Sequence, residues 1–293
     1  MSGKIDRSRM YSIIEKIIDE LISTTDLTNT NIESWLRFNA LRYLLHRGEG
    51  RKRIRYKGKT IDLEKDFKRN ILSEICLEAY KCSNSELNKL FEKANKLLDN
   101  VKKALEDNKY SVLDFQVETK SKLIVGVSEE MFGKPIFEVG LMWNPYLNLP
   151  YIPGSSLKGA FRSYLSLKGI KIEDFEVSDL LGSESHISYI VFTDSYPVGC
   201  RDKNKTLLTP EVTTPIYHEL EGRILETQAQ PVPIVYPVIG EGIRFRIIIG
   251  VRKLVQDEKL NKIKSELMKF ISDILKQGIG AKTMLGYGTL TVL

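Results

Sequence analysis

Ser155, Lys158 and Arg162 stand at helical spacing directly after the turn-forming pair Pro153-Gly154. Proline followed by glycine favours a turn, and a serine at 155 or 156 is a good N-cap, so a helix is predicted to begin near Ser156. The first turn of a helix carries unpaired N–H groups and the positive end of the helix dipole. Together with the two cations, these groups can bind one anion, and the chemistry predicted here is recognition of a phosphate.

A glycine-rich stretch near the C-terminus, residues 278–288, is the second candidate for this chemistry. Its four glycines lie between a helical pattern and a last strand, and they permit positive φ angles and close approach of the backbone to another group. Gly280, Lys282 and Thr283 are the candidates for phosphate contacts in this loop.

The densest basic run covers residues 46–59 and has glycines on both sides, which predict a mobile loop or a short hairpin. Four cations of this run can neutralise nucleic-acid phosphates, and Tyr56 can stack on a base. These cations are Arg51, Lys52, Arg53 and Arg55. A solvated loop without a ligand is the alternative that the sequence leaves open.

Composition and charge describe a globular chain with a moderate excess of positive charge. The chain has 293 residues, of which 42% are hydrophobic, and its formal net charge is +6, which suits a polyanionic partner. Cys76, Cys82 and Cys200 have no CxxC spacing, so neither a disulfide framework nor a zinc site is predicted. No stretch reads as a signal peptide or a membrane span, and a cytoplasmic location is expected.

Residues 1–108 form the first predicted region, which is mostly helical. Apolar residues recur at helical spacing in four stretches, beginning near Ile13, Trp35, Leu63 and Leu87, and their apolar faces are predicted to lie in the core. The basic run lies between the second and third of these helices.

Residues 109–293 form the second predicted region, in which strands and helices alternate. The order is strand, helix, strand, strand, helix, strand, which is the βαββαβ pattern of an α+β, ferredoxin-like (RRM-like) fold. Residues 234–251 are predicted to form a hairpin that turns at Gly240–Gly242, with Arg244 and Arg246 on one face of the sheet. Residues 194–233 are predicted to be a long loop, either functional or disordered.

Three segments resemble a known family. Pro153–Arg162 together with Gly278–Gly288 resembles the RAMP superfamily of CRISPR-associated RNA-binding proteins. Residues 209–217, TPEVTTPIY, followed by PVPI at 231–234, resemble the sixth-subunit family of the type III-B Cmr effector complex. The resemblance covers about residues 110–293, and the role of the N-terminal helices stays open.

The resemblance implies a function and partners. A protein of this family is expected to be a non-catalytic subunit that holds CRISPR RNA, near its 3′ end, beside other Cmr RAMP subunits, without a cofactor or a metal. The long loop is expected to wedge into the duplex of guide and target RNA. Carried onto this chain, the RNA backbone contacts fall on Ser155, Ser156, Lys158, Arg162, Gly280, Lys282 and Thr283.

An RNA endonuclease is the alternative function that the residues leave open. His46, His186 and His218 are scattered, whereas Asp194 and the pair Glu129-Glu130 can hold a hydrated magnesium ion. Two further enzyme patterns fail on spacing. Residues 280–283 lack the glycines of a nucleotide-binding P-loop, and the S-x-x-K pattern of residues 155–158 lacks the partner motifs of serine acyl transfer.

Overall fold

The computed structural model describes residues 7–24, 26–126, 136–137, 139–173, 175–184, 187–214, 219–220, 223–224, 233–253 and 257–293. The helices are α1 (Arg7–Thr24), α2 (Ile32–Gly48), α3 (Phe67–Glu74), α4 (Ser85–Asp107), α5 (Gly154–Lys168), α6 (Val177–Leu181) and α7 (Asp257–Gln277). The strands are β1 (Arg53–Tyr56), β2 (Lys59–Asp62), β3 (Tyr110–Thr119), β4 (Trp143–Asn144), β5 (Leu149–Pro150), β6 (Ile190–Phe192), β7 (Tyr196–Cys200), β8 (Leu208–Thr213), β9 (Glu219–Leu220), β10 (Arg223–Ile224), β11 (Ile234–Ile239), β12 (Ile243–Arg252) and β13 (Leu290–Val292).

The central sheet has the predicted ferredoxin-like order. Its strands follow the sequence β13-β3-β12-β6, and β7 pairs with β12 beside β6. In terms of the βαββαβ pattern, the fourth strand lies next to the first, then come the third and the second, and every pairing is antiparallel. The prediction of an α+β, ferredoxin-like fold is therefore confirmed.

Helices cover both faces of this sheet. Phe245, Ile247 and Ile249 of β12 are fully buried on one face, and α5 and α7 pack there with the ring contact of Phe161 and Phe192. On the other face α4 lies against β3, β7 and β12, and a Cβ added to Gly250 would lie 3.2 Å from a Leu105 methyl carbon. RRM domains bind bases on such a face, but here α4 lies across it.

The N-terminal helices form as predicted, but two of their apolar faces point outwards. Ile18 and Ile22 of α1 and Trp35 and Leu36 of α2 are buried, as the helical spacing requires. Other apolar residues that were predicted to lie in the core are exposed, and for these the prediction is wrong. They are Ile13, Ile17, Leu21, Phe38, Leu41 and Leu44.

The basic run forms the short hairpin that its glycines predicted. Strands β1 and β2 pair in an antiparallel register that places Tyr56 opposite Lys59. Alternation along β1 buries Ile54 and Tyr56 and leaves Arg53 and Arg55 exposed.

Residues 194–251 depart from the prediction in two ways. The turn at Gly240–Gly242 does not close a hairpin, because β11 pairs with β8 in a separate two-stranded sheet whereas β12 enters the central sheet. The segment 194–233 contains β7 and β8, so the first part of the predicted loop is ordered sheet. Tyr196, Leu207 and Leu208 are buried there, and this burial is the driving force that the loop prediction overlooked.

A disulfide links the N-terminal helices to the central sheet. The prediction that no disulfide forms is wrong, because Cys82, just before α4, is bonded to Cys200 at the end of β7. Backbone bonds support the same junction, since Cys82 N–H donates to Lys205 O and Leu207 N–H donates to Tyr80 O.

Within the described ranges, no helix combines the length and the apolar character that crossing a bilayer requires.

Candidate nucleic-acid interface

The helix that follows Pro153 begins at Gly154, two residues earlier than predicted, and its cap is not a serine. Pro153 occupies the N-cap position, and the Gly154 N–H donates to the Asp194 carboxylate at 2.9 Å. A Cβ on Gly154 would lie 2.2 Å from the carbonyl oxygen of Phe192, so only glycine permits the helix to start this close to the end of β6. The prediction that Ser155 or Ser156 caps the helix is therefore wrong.

The predicted phosphate ligands of α5 have different surroundings. Ser155 is exposed, and Ser156 and Lys158 are half-buried on the first turns of the helix. Arg162 is one turn further on, and its Nη2 donates to the carbonyl oxygens of Leu181 and Gly182 at 3.1 and 2.9 Å. Arg162 thus ties α5 to the end of α6, whereas the serines and Lys158 lie at the open end of the helix.

The glycine-rich loop is held closely against the segment that follows β3. Ala281 N–H donates to Ile124 O at 2.8 Å, and Gly288 N–H donates to Lys122 O at 2.8 Å. Gly280 has φ +86°, and a Cβ there would lie 2.2 Å from Ile124 O. The predicted need for positive φ and close backbone approach is confirmed at this position.

Lys282 lies at the centre of this loop in a left-handed conformation with φ 59°. Its Nζ donates to Thr213 Oγ1 at 2.6 Å and contacts Tyr236 Oη at 2.7 Å. An ammonium group has three N–H donors, so one donor remains for a phosphate oxygen. The two hydroxyl partners come from β8 and β11, and no local signal in the sequence indicated them.

A carboxylate beside Lys282 organises the same surface. Glu211 accepts hydrogen bonds from Tyr287 Oη at 2.7 Å and from Lys122 Nζ at 2.9 Å. Partial burial alone would raise the pKa of the Glu211 carboxyl, but these hydrogen bonds and the charge of Lys122 outweigh it and hold the pKa below its ordinary value. The hydrogen bond to Glu211 raises the pKa of Tyr287 to about 12, so the phenol stays neutral and serves as a donor.

The two glycine-containing stretches are joined through a short chain of backbone bonds. Ala281 donates to Ile124 O, Met142 N–H donates to Val125 O, and Tyr151 N–H donates to Met142 O. Tyr151 is two residues before the N-cap of α5. The segment around Ile124 therefore connects the glycine-rich loop to the start of α5.

The predicted cations of the basic hairpin differ in their contacts, since some are exposed to solvent and one forms ion pairs with carboxylates. Lys52, Arg53 and Arg55 are exposed, whereas Arg51 forms ion pairs with Glu15 and Glu49. The hydrogen bond to Glu15 raises the pKa of the Arg51 guanidinium.

Tyr56 of the same hairpin is unsuited to base stacking. Its side chain is 3% exposed, and its hydroxyl donates to Glu74 Oε2 at 3.1 Å. The prediction that Tyr56 stacks on a base is therefore wrong, since the alternation of β1 turns the ring into the core.

Arg244 and Arg246 lie on the same sheet face, as predicted, and Arg246 lies under α4. Arg246 forms two hydrogen bonds with the Asp114 carboxylate at 2.8 and 2.7 Å and one with Asp99 at 2.7 Å, and its side chain is 13% exposed. Its hydrogen bonds hold the pKa of Asp114 low, against the effect of burial. Arg244 is 41% exposed and lies 3.7 Å from Glu118, so it is the more accessible of the two.

Among the described residues, the candidates for an RNA endonuclease do not come together in a catalytic centre. His46 is 3% exposed, and burial lowers the pKa of its imidazole. Asp194 accepts the first N–H of α5. Glu129, Glu130, His186 and His218 lie outside the described residues, as do residues 215–218, 221–222 and 225–232 of the segment predicted to wedge into the duplex.

Comparisons with known proteins agree with the architecture. The family model of the RAMP superfamily matches residues 116–291. The chain is 32% identical, over 237 residues, to the CRISPR system CMR subunit Cmr6 of Saccharolobus solfataricus, covering 80% of this chain and 75% of that protein. A chain in the cryo-EM structure of the type III-B Cmr-beta bound to cognate target RNA matches with a TM-score of 0.73 and 26% identity, over 96% of each chain. The protein therefore belongs to the RAMP superfamily and is a relative of Cmr6, a subunit of the CRISPR Cmr system.

Proposed function

We propose that this chain is a non-catalytic, RNA-binding subunit of a type III-B Cmr ribonucleoprotein in the cytoplasm. It holds CRISPR RNA, towards the 3′ end, together with the guide–target duplex, beside other RAMP subunits, for RNA-guided antiviral defence. The observation that carries the proposal is the likeness to a chain of the target-RNA-bound Cmr-beta complex over 96% of both chains, at a TM-score of 0.73. This likeness includes the N-terminal helices, for which the sequence offered no motif.

The proposed contacts are with the RNA backbone. Lys282 keeps one free donor beside two hydroxyl groups, and the first turn of α5 brings Ser155, Ser156 and Lys158 to the surface. Gly280, two residues before Lys282, and Thr283, directly after it, complete the loop contact, while Arg53 and Arg55 extend the cationic surface on the hairpin. Contacts of this kind position a strand without reading its sequence.

A non-catalytic role is supported by the way the candidate catalytic groups are used. The carboxylate of Asp194, a candidate magnesium ligand, accepts the first N–H of α5 and so has a structural use.

The test is purification of the tagged chain from its native host, with mass spectrometry of the proteins and sequencing of the RNA that co-purify. Recovery of other Cmr subunits with short, repeat-derived RNA is expected. A chain that purifies alone and free of RNA would refute the proposal.

A second measurement addresses the residues. In the assembled complex, Lys158→Gln combined with Lys282→Gln is expected to weaken binding of guide RNA, whereas Lys262→Gln combined with Lys276→Gln, on exposed positions of α7, removes the same charge as a matched control. Equal affinities for the two double variants would show that the site assignment is wrong while leaving membership of the complex intact.

A further inference from the structure

Three cations near the ends of strands surround one buried carboxylate. They lie at the end of the central sheet that adjoins the glycine-rich loop. Glu118, near the end of β3, is 3% exposed. Lys120 Nζ lies 2.7 Å from its Oε1, Arg201 Nη1 lies 3.4 Å from the same oxygen, and Arg244 Nε lies 3.7 Å from Oε2. We call these three cations and Glu118 the strand-end cluster.

The strand-end cluster has more positive charge than its carboxylate requires. A buried carboxylate needs a partner, and Lys120 alone supplies a short, charge-assisted hydrogen bond. Burial favours a raised pKa for Glu118, but Lys120, Arg201 and Arg244 outweigh it and keep the pKa below its ordinary value. Glu118 therefore stays ionised at neutral pH, and the cluster keeps two surplus positive charges on side chains that are 41–50% exposed.

The two arginines of the strand-end cluster are only partly engaged by Glu118. Arg244 Nε is buried and has no hydrogen-bond acceptor among the described residues, since 3.7 Å to Glu118 is beyond hydrogen-bonding distance. Arg201 is fixed at its backbone, where its N–H donates to Gly242 O at 2.7 Å. The outer N–H groups of two guanidinium ions beside a lysine are suited to the oxygens of one phosphate.

A cavity of about 270 Å³, lined by residues of polar type, adjoins the strand-end cluster. Gly242 separates the two, because a Cβ there would lie 3.5 Å from Arg201 Cβ and 3.8 Å from Lys205 Cγ. The cavity is lined by Lys122, Asn204, Lys205, Thr206, Thr209 and Glu241.

Two side chains of the cavity lining offer hydrogen-bonding groups to a ligand. Thr209 Oγ1 is buried without a hydrogen-bond partner in the described part of the chain, which is costly unless a ligand or water supplies one. The Asn204 amide has both donors and an acceptor, the combination that reads a base edge. The cavity is smaller than pockets for drug-sized ligands, which take up roughly 300–1,000 Å³, and it suits a single nucleoside.

We propose that the strand-end cluster binds one phosphate of the RNA backbone and that the adjoining cavity holds the nucleoside attached to it. This inference rests on the proposed function and adds a second contact beyond the glycine-rich loop. The two contacts are continuous, because Lys120 N–H donates to Thr289 O and Gly288 N–H donates to Lys122 O. An RNA strand that crosses Lys282 thus passes along Lys122 and Lys120 to reach Arg201.

The first test measures affinity of the full chain for a fluorescein-labelled 20-nucleotide single-stranded RNA between 50 and 200 mM salt. The triple variant Lys120→Gln, Arg201→Gln, Arg244→Gln is expected to bind about tenfold more weakly and to lose about 0.7 from the slope of log K against log salt, as one lost phosphate contact requires. The control removes three exposed charges of α7 through Lys262→Gln, Lys269→Gln and Lys276→Gln. It is expected to retain the wild-type slope.

The second test uses the unaltered chain and so does not depend on whether the triple variant folds. RNA carrying 4-thiouridine is irradiated in the complex with the full chain, and the cross-linked peptides are identified by mass spectrometry. Cross-links within residues 201–209 are expected.

The outcomes separate the two proposals. If wild-type chain binds the RNA but the triple variant matches its control and cross-links fall outside residues 201–209, this inference is wrong and the proposed function stands. If the wild-type chain and the assembled complex both fail to bind RNA, the proposed function fails, and this inference fails with it.

Discussion

Two glycines of the same helix are expected to respond in opposite directions to the same substitution. Gly154 begins α5 against the end of β6, where an added Cβ would lie 2.2 Å from Phe192 O and 2.8 Å from Phe192 C. Gly159 lies five residues further along α5 and is exposed, with no atom within 4 Å of an added Cβ. Gly154→Ala and Gly159→Ala therefore differ chiefly in what the new methyl group meets.

The magnitudes follow from these distances. Backbone atoms cannot rotate away as a side chain does, so the end of α5 or of β6 must shift in Gly154→Ala by an ångström or so, at a cost of about 1–3 kcal/mol. The shift also strains the 2.9 Å hydrogen bond from Gly154 N–H to Asp194. Gly159→Ala restricts the unfolded chain and meets no clash, so it is expected to stabilise the protein by about 0.5–1 kcal/mol.

The assay is urea denaturation of both variants and the wild type, followed by circular dichroism, with the free energies of unfolding compared at equal slope. Gly154→Ala is expected to unfold at lower urea and Gly159→Ala at higher urea than the wild type. Equal midpoints for the two variants, or a Gly154→Ala that is as stable as the wild type, would refute the argument from close packing at Gly154.

Three further predictions concern the covalent link, the ion pairs and the loop. Reduction of the disulfide, or Cys82→Ser, is expected to lower the free energy of unfolding by about 5 kcal/mol, the chain-entropy value for the sequence separation of 118. Thermal denaturation with and without reductant measures this loss. A reductant effect that persists in Cys82→Ser would contradict the prediction. Because the folded pKa of Asp114 lies below its ordinary 3.8, the pairing of Asp114 with Arg246 stabilises the fold fully above that pH and is lost as the pH falls through the lowered pKa. Asp114→Asn is therefore expected to be less stable than the wild type at pH 7 and to lose less stability on acidification. The free energy of unfolding of both proteins, measured between pH 7 and pH 3, tests this, and an equal loss in the two would contradict it. Lys282→Gln is expected to lower the slope of log K against log salt for RNA by about 0.7, and an unchanged slope would show that Lys282 contacts no phosphate.

Local patterns predicted the elements of the fold because their causes are local. The buried stripe of α7, which includes Leu260, Leu267 and Ile274, follows directly from helical periodicity. The glycines of the C-terminal loop indicated positive φ, and Gly280 adopts it. Since the βαββαβ order fixes which strands pair, the sheet order followed from the elements as well.

The partners that side chains contact in the folded protein could not be predicted from local sequence patterns, because they lie far apart along the chain. The acceptor that caps α5 is Asp194, which is 40 positions after Gly154, so the nearby serines were the natural and incorrect choice. Arg246 and Asp114 are 132 positions apart, and alternation along β12 shows the face of the arginine but not its partner. The exposed apolar stripes of α1 and α2 follow helical spacing as well as buried stripes do, and periodicity alone does not say what covers each face.

The bond between Cys82 and Cys200 also determines how the chain responds to tension. It closes a ring that contains β3, α5 and β6, with a sequence separation of 118 between its ends. A force applied at the two termini is carried across this ring by the covalent link, so only the residues outside it can be pulled out straight. The fully stretched chain is therefore shorter by about 400 Å, at roughly 3.3–3.6 Å for each residue inside the ring. The strands and helix inside the ring are shielded from the load for as long as the bond remains oxidised.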